Sequence, residues 1–580
     1  MITVFSRKSI LLLSSVLLIV CSMWTFGHRQ LGGFDMSALT DTGWRIANYQ
    51  NPYHDFPLTT PVAFYVGAGW AFQLFGIHWS SFVVMAIGFT VLSFLGQFYL
   101  LSMVISWKPS LCIALVFHLL SSVVISYWWY NSITVNAAGL FIAAAYLFAN
   151  KPEEQISTIA LWFTLTLLSL MKPNIAGGLA ILVFAVLLVF SAYKIKLLLI
   201  GSAAVFSFFT ILFFLKISPV DVIQSYIAIG KVRATPTLRW FYNDKPHEHL
   251  VVIPLILFSL LPLLEKVSRF TFKHNTSKVR LNLAVTIVSF LMGGLSLLTN
   301  SDSNLIVGIP FFLLGSSVFY FITEHMNLNL PAPRRFWWYL ALGCIAFEVA
   351  GSFVIQATSR LMDKPLNLFS SWFVFCVLTS VSAVCILVLR LNSSNEYFLS
   401  IWMRARMIWA LLLVCGGVAM YAGAMRWRVL YIGYESFFTY SSLTEIKDLP
   451  FFQDFYVSQT AKETMSEIKQ VLINRYKVEE KWKNAPIYFG TRIEFAYATF
   501  GILSPRNLPI WWHSNNSYSL ENEPEYVQSF LNHNFEYAFF MKTQYEDKPD
   551  FGFLPDAIVN NLLANYDRIS YDKIVVFQKK

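Results

Sequence analysis

The sequence predicts a mainly α protein: a polytopic transmembrane helical bundle of about eleven to thirteen spans, followed by a C-terminal extracytoplasmic α/β domain. Three observations predict it. Of 580 residues, 56% are hydrophobic and 13% charged, where a soluble domain carries about 25% charged. Apolar runs long enough to cross about 30 Å of hydrocarbon recur throughout the first 425 positions. The charge then changes character: residues 1–425 hold 26 basic and 14 acidic side chains, residues 426–580 hold 17 and 19. A basic membrane body (1–425) is therefore followed by a near-neutral globular unit (426–580). This composition excludes a soluble enzyme, a disulfide scaffold and a disordered chain. The net charge of +10 is dispersed over short loops, so no nucleic-acid partner is expected.

Taken in order, the spans fall at 8–27, 79–105, 110–127, 133–149, 156–171, 174–193, 197–216, 249–264, 281–298, 304–323, 336–357, 368–390 and 407–425. The first follows Arg7 and Lys8 and has no evident small-residue cleavage site, so it reads as an uncleaved span with its N-terminus inside. Alternation then puts Lys108, Lys151, Lys194 and Lys196, the cluster from Lys266 to Arg280, Arg334 and Arg335, and Arg404 and Arg406 on the cytoplasmic side. This satisfies the positive-inside rule almost loop by loop. The same count puts residues 28–78, Lys172 to Asn174, 217–248, 299–303, 358–367 and the C-terminal domain outside. All six cysteines lie within apolar runs, so the outer domain does not depend on disulfides.

In the C-terminal domain, Ser458 is placed to cap a helix running to about Arg475. The runs Ile487 to Phe489, Tyr537 to Met541 and Ile574 to Phe577 read as buried strands. Trp511, Trp512 and Tyr518 suit either a carbohydrate-contacting surface or the core of that domain.

The first outer loop carries the densest chemistry. Asp35, Asp41, His54 and Asp55 stand between two spans. Asn51-Pro52-Tyr53-His54-Asp55-Phe56 reads as a turn, and Pro61 to Phe75 is too short for a comfortable crossing and aromatic enough to lie in the interface, roofing a site at the membrane surface. Each acid also has a plainer reading. Asp41 stands where it could cap a helix, Asp35 could be a solvated loop acid, and His54 alone is a satisfied polar residue more readily than a catalyst.

The run from Asp35 through Ala47, then Asn51 to Asp55, Pro61 and Phe75-Gly76, resembles the first outer loop of the GT-C superfamily of polytopic glycosyltransferases. There an Asp just after the first span is followed by a helix, a Pro-Tyr-x-Asp-Phe turn, a Pro, and an amphipathic helix ending near Phe-Gly. The likeness is nearest to the bacterial branch related to protein O-mannosyltransferases, the lipid A aminoarabinose transferase and the arabinofuranosyltransferases. It implies a polyprenyl-phosphate sugar donor, a glycolipid, lipid-linked glycan or protein acceptor, inversion at the anomeric centre and residence in a bacterial inner membrane. The implied base is Asp35, with Asp41 the second choice because Met36 stands where many relatives have Glu after the catalytic Asp.

The chemistry needs those residue types. An acceptor hydroxyl attacking an anomeric carbon must lose a proton, which a nearby carboxylate can take. The departing phosphate needs cations. The outer loops supply Lys172, Lys231, Arg233, Arg239, Arg360 and Lys364, of which Lys172, Arg233 and Arg239 are the leading candidates, and His54, Asp55 and Asp302 are candidates for contacting the sugar. For Lys172 the alternative is snorkelling to the interface, for Arg233 and Arg239 a solvated loop, and for Asp302 a helix cap. No Gly-rich phosphate loop or metal-ligand cluster is evident in the sequence. A divalent cation held by Asp35, Asp41 and Asp55 is compatible with the pattern but not required by it. The alternative function is a secondary transporter or flippase of lipid-linked glycans, for which Glu348, near the middle of a span, would be the ionisable residue.

Overall fold

The computed structural model describes residues 7–29, 33–57, 61–104, 107–124, 126–227, 443–477, 479–490, 492–512, 518, 520–542 and 548–580. The spans read between 249 and 425, the boundary at 425/426, Glu348, Lys231, Arg233, Arg239, Asp302, Arg360 and Lys364 lie outside them.

The described residues between 7 and 214 form nine helices: α1 Arg7–Gly27, α2 Gly33–Ala47, α3 Val62–Phe75, α4 Ser80–Ser102, α5 Trp107–Val124, α6 Tyr130–Asn150, α7 Gln155–Ser169, α8 Pro173–Phe190 and α9 Lys194–Phe214. All seven spans expected in this region are helices, and α2 and α3 form the loop between the first two. Among the described residues, four helical stretches, Arg7–Gly27, Ser80–Ser102, Ser132–Asn150 and Lys194–Phe214, are long and apolar enough to cross a membrane. At about 1.5 Å per residue, α7 with 15 residues is the shortest of the seven.

The bundle closes on α6. Its small residues Ala137, Ala138, Ala143, Ala144 and Ala145 are buried and let neighbouring backbones approach, the usual basis of helix association in lipid. α1 turns the stripe Ser15, Ile19, Met23 and Phe26 inward, a helical repeat. Ile19 and Met23 join Ala86, Phe94 and Phe98 of α4 and Leu111 and Ala114 of α5. Inside the bundle, His118 Nδ1 lies 3.1 Å from Asn136 Oδ1, and Asn136 Nδ2 donates to Thr90 Oγ1, tying α5, α6 and α4 together.

The two ends of the bundle differ. At one end the Lys8 ammonium lies over Phe98, Lys151 pairs with Glu154, and Lys196 Nζ donates to Pro152 O. The other end carries α2 and α3, and there the C-terminal domain packs. Trp79 N donates to Phe451 O at 2.8 Å and Tyr456 N to His28 O at 2.9 Å.

In that domain β1 Leu443–Glu445 pairs antiparallel with β2 Tyr456–Ser458. Helix α10 Gln459–Tyr476 follows, where the helix after Ser458 was expected, then α11 Glu479–Lys483, β3 Ile487–Phe489, α12 Phe495–Phe500, α13 Glu523–His533, β4 Tyr537–Met541, α14 Asp556–Asn565, β5 Tyr566–Ser570 and β6 Ile574–Lys579. The sheet order is β3-β4-β6-β5, with β3 and β4 parallel and the other pairs antiparallel.

Side chains alternate between the two faces, as strand geometry requires. Tyr488, Ala538, Phe540, Val575 and Phe577 pack under α13 and α14. Ile487, Phe489, Phe539, Ile574 and Val576 belong to a core that continues through α10 and α12 into the end of the bundle that carries α2 and α3. Trp512 is 2% exposed among Tyr518 and Phe530; of its two readings, the core is the one realised.

Candidate functional site

Helix α2 is the base of the site. Residues 36–45 are all buried, because α3 covers one side and the C-terminal domain another. Asp35 is the third residue of this helix, and Asp41 stands in its middle, not at an N-cap. The difference arises because the helix begins at Gly33, so the backbone N–H groups near Asp41 are already committed to helical bonds.

Asp41 is 0% and Arg45 2% exposed. Arg45 Nε donates to Asp41 Oδ2 at 2.8 Å, and Ser504 Oγ donates to Asp41 Oδ1 at 2.5 Å. Arg45 also donates to Pro505 O at 2.6 Å and Gln50 Oε1 at 3.3 Å, and its guanidinium lies over the Phe56 ring. Gln50 Nε2 donates to Ser504 O, and Trp44 Nε1 to Ile502 O. One turn earlier, Ser37 Oγ donates to Glu494 Oε2 at 2.5 Å and accepts from Phe495 N.

Glu494 is 4% exposed. Burial pushes its carboxyl up to about 8; the Ser37 hydrogen bond opposes this, and the nearby Asp41 charge adds to it. Glu494 and Ser504 were not singled out in the sequence. The available signal was one acid in the apolar and aromatic stretch Ile493 to Ala498.

After α2 the chain makes the expected turn at residues 51–57. Tyr53 adopts a φ of 69°, a left-handed conformation that costs about 1 kcal/mol or more for a bulky residue. The turn is held from three directions. Asn51 Nδ2 donates to Lys216 O at the end of α9, Asn507 N of the C-terminal domain donates to Asp55 O at 2.6 Å, and Tyr53 hydrogen-bonds Tyr226 in the helical segment 219–227. Burial drives the Tyr226 hydroxyl to about 12.

The Asp55 carboxylate accepts from Asn51 N at 2.7 Å and lies 3.2 Å from His54 Nδ1. Burial pushes this carboxyl up, but the Asn51 N–H, His54 and the Arg506 charge outweigh it and hold it below its ordinary value. His54 projects outward, its side chain 73% exposed.

α3 starts after Pro61, with Ala63 N donating to Leu170 O, and ends at Gly76, whose φ of 95° favours glycine. Most of the helix is buried between α2 and α4; Trp70, Leu74 and Phe75 remain exposed as an apolar edge. Lys172 precedes α8 at the same end of the bundle. Its ammonium lies 4.8 Å from the centroid of Tyr130, and Tyr130 packs on Phe64 of α3. The structure thus brings Asp41, the turn with His54 and Asp55, and Lys172 to one end, with α2 placing Asp35 there too. Among the described residues, no group of three or more His, Cys, Asp or Glu side chains is arranged to hold a metal ion.

No family model matches the chain, and no curated protein sequence matches it. Among solved structures it is similar to ArnT from Cupriavidus metallidurans bound to undecaprenyl phosphate, at 10% identity over 99% of this chain and 98% of that one, with a TM-score of 0.45. The apo state of the same protein gives 13% identity over 98% and 97%, with a TM-score of 0.44. The Archaeoglobus fulgidus oligosaccharyltransferase in complex with zinc and sulfate gives 11% identity over 91% of this chain and 67% of that one, with a TM-score of 0.45.

Proposed function

We propose that the protein is an integral-membrane glycosyltransferase. It moves a sugar from a polyprenyl-phosphate donor to a lipid-linked glycan, glycolipid or protein acceptor at the outer face of the membrane, with inversion and with Asp35 as general base. The observation that supports this best is the first outer loop. Its helix from Gly33, its turn at 51–57, Pro61 and its helix ending at Phe75-Gly76 follow the order that the resemblance to GT-C enzymes implies.

Asp35 is preferred to Asp41 on chemical grounds. Both oxygens of Asp41 already accept hydrogen bonds from buried partners of the protein, and its side chain is 0% exposed, so an acceptor hydroxyl from outside has no free oxygen within hydrogen-bond reach. Lys172, with Arg233 and Arg239, would stabilise the departing phosphate. His54, Asp55 and Asp302 would face the sugar or acceptor. Collection of lysines at the end of the bundle opposite the C-terminal domain supports a cytoplasmic N-terminus and an extracytoplasmic domain; the bacterial inner-membrane location rests on the resemblance to GT-C enzymes alone.

The test compares intact masses of surface glycolipids and glycoproteins from cells carrying wild-type protein, Asp35→Asn or no protein, at matched membrane levels. Loss of one sugar-sized increment in both the null and Asp35→Asn is expected. Loss in the null alone moves the base elsewhere, and no change in either removes the transferase reading in favour of transport.

A further inference from the structure

The contact between α2 and the C-terminal domain is more polar than a docking surface requires. Ser37, Asp41 and Arg45 lie at successive i, i+4 positions, on one face of α2. Each meets a short segment of the domain: Ser37 meets Glu494 and Phe495 N, Asp41 meets Ser504, and Arg45 meets Pro505 O. The Trp44 indole adds a bond to Ile502 O. The helix is therefore held near both ends by groups whose hydrogen bonds tolerate little displacement, whereas an apolar contact of the same area could slide. Breaking one partner of such a buried network leaves a desolvated polar group behind, so the register is strongly specified.

We propose that Glu494 and Ser504 are positioning residues: the C-terminal domain grips α2 and thereby fixes where the first turn, with Asp35 two residues before Ser37, stands relative to the acceptor. This inference rests on the reading of Asp35 as the base. It makes the domain a structural half of the reaction centre in addition to any acceptor contact. The titratable groups that interact with Glu494 are Asp41 of α2, Tyr488 of β3 and Tyr497 of α12, with Arg492 of the connecting loop contributing a backbone hydrogen bond; the Arg45 charge acts on Tyr488 and Tyr497. Arg45 is the cation directly bonded to the neighbouring acid, Asp41.

The test uses the full chain in lipid nanodiscs and reads two quantities: amide hydrogen exchange of residues 33–47, and transfer kinetics with donor titrated. Glu494→Ala and Ser504→Ala are expected to speed exchange in α2 and to lower kcat about 10-fold or more, since small misplacement of a reacting group is costly. Donor KM should stay within about twofold, because the loss lies in orientation and not in ground-state binding. Glu494→Gln keeps a carbonyl acceptor for Ser37 and should recover most of both losses. Unchanged α2 exchange in both alanine variants overturns the grip, and faster exchange with unaltered kcat overturns the positioning role. If Asp35→Asn retains full activity while exchange responds as stated, the choice of base fails and the grip on α2 stands.

Discussion

Ser504 donates a hydrogen bond to Asp41 across 463 positions of sequence. With the Asp41–Arg45 pair beneath it, this contact joins the C-terminal domain to the loop between the first two spans, so the two are one structural unit at that end of the membrane body.

Asp41→Ala strands Arg45, which is 2% exposed, beside carbonyl groups and without its carboxylate. Breaking a buried pair from one side costs roughly 3–5 kcal/mol. A lower unfolding midpoint in detergent is expected, and the double variant Asp41→Ala/Arg45→Met should recover part of the loss. Equal midpoints for wild type and Asp41→Ala would show that the pair contributes nothing.

Glu494 supplies a pH dependence whose sign follows from its buried carboxyl. In the docked state it titrates near 8 rather than at 4.5, so docking takes up a proton between those values. The stability from this group is fully present below about 4.5 and is lost as pH rises through about 8, with the full penalty above it. Wild-type unfolding midpoints should therefore fall between about pH 6 and about pH 9, while those of Glu494→Gln stay flatter. Parallel profiles would exclude Glu494 as the source.

Gly67 is required by packing. A Cβ there would come within 2.0 Å of Trp128 Cζ2, and Trp128 is fixed by its indole bond to Phe64 O. Gly67→Ala should cost about 1–3 kcal/mol by overpacking and separate α3 from the α5–α6 connection. Reduced protease resistance of residues 61–76 would register it.

Lys172→Met keeps an unbranched apolar side chain and removes the ammonium that lies over Tyr130. If Lys172 holds the donor phosphate, losing a charge-assisted hydrogen bond should raise donor KM roughly 10-fold or more. Donor titration in nanodiscs separates this from the kcat effect expected at Glu494, and an unchanged KM would return Lys172 to the snorkelling reading.

Much of this architecture was legible in the residues alone. Each span between 8 and 216 appears as a helix within a few residues, because a run of about twenty apolar residues in lipid must satisfy its own backbone hydrogen bonds. Ile487 to Phe489, Tyr537 to Met541 and the start of β6 at Ile574 were readable because β-branched and aromatic residues cluster where a strand is covered on both faces. β5, Tyr566–Ser570, escaped because only Tyr566 is buried, and an edge strand needs little apolar patterning.

What the sequence by itself determined is local: the periodicity, the apolar helices and the turn at Pro52. Each depends on residues within a few positions of one another. The roles of Asp41, Arg45, Glu494 and Ser504 were decided only by tertiary structure. Whether a carboxylate is a cap, an ion-pair partner or a buried acid near 8 depends on the donors and charges brought against it, and here those come from the opposite end of the chain.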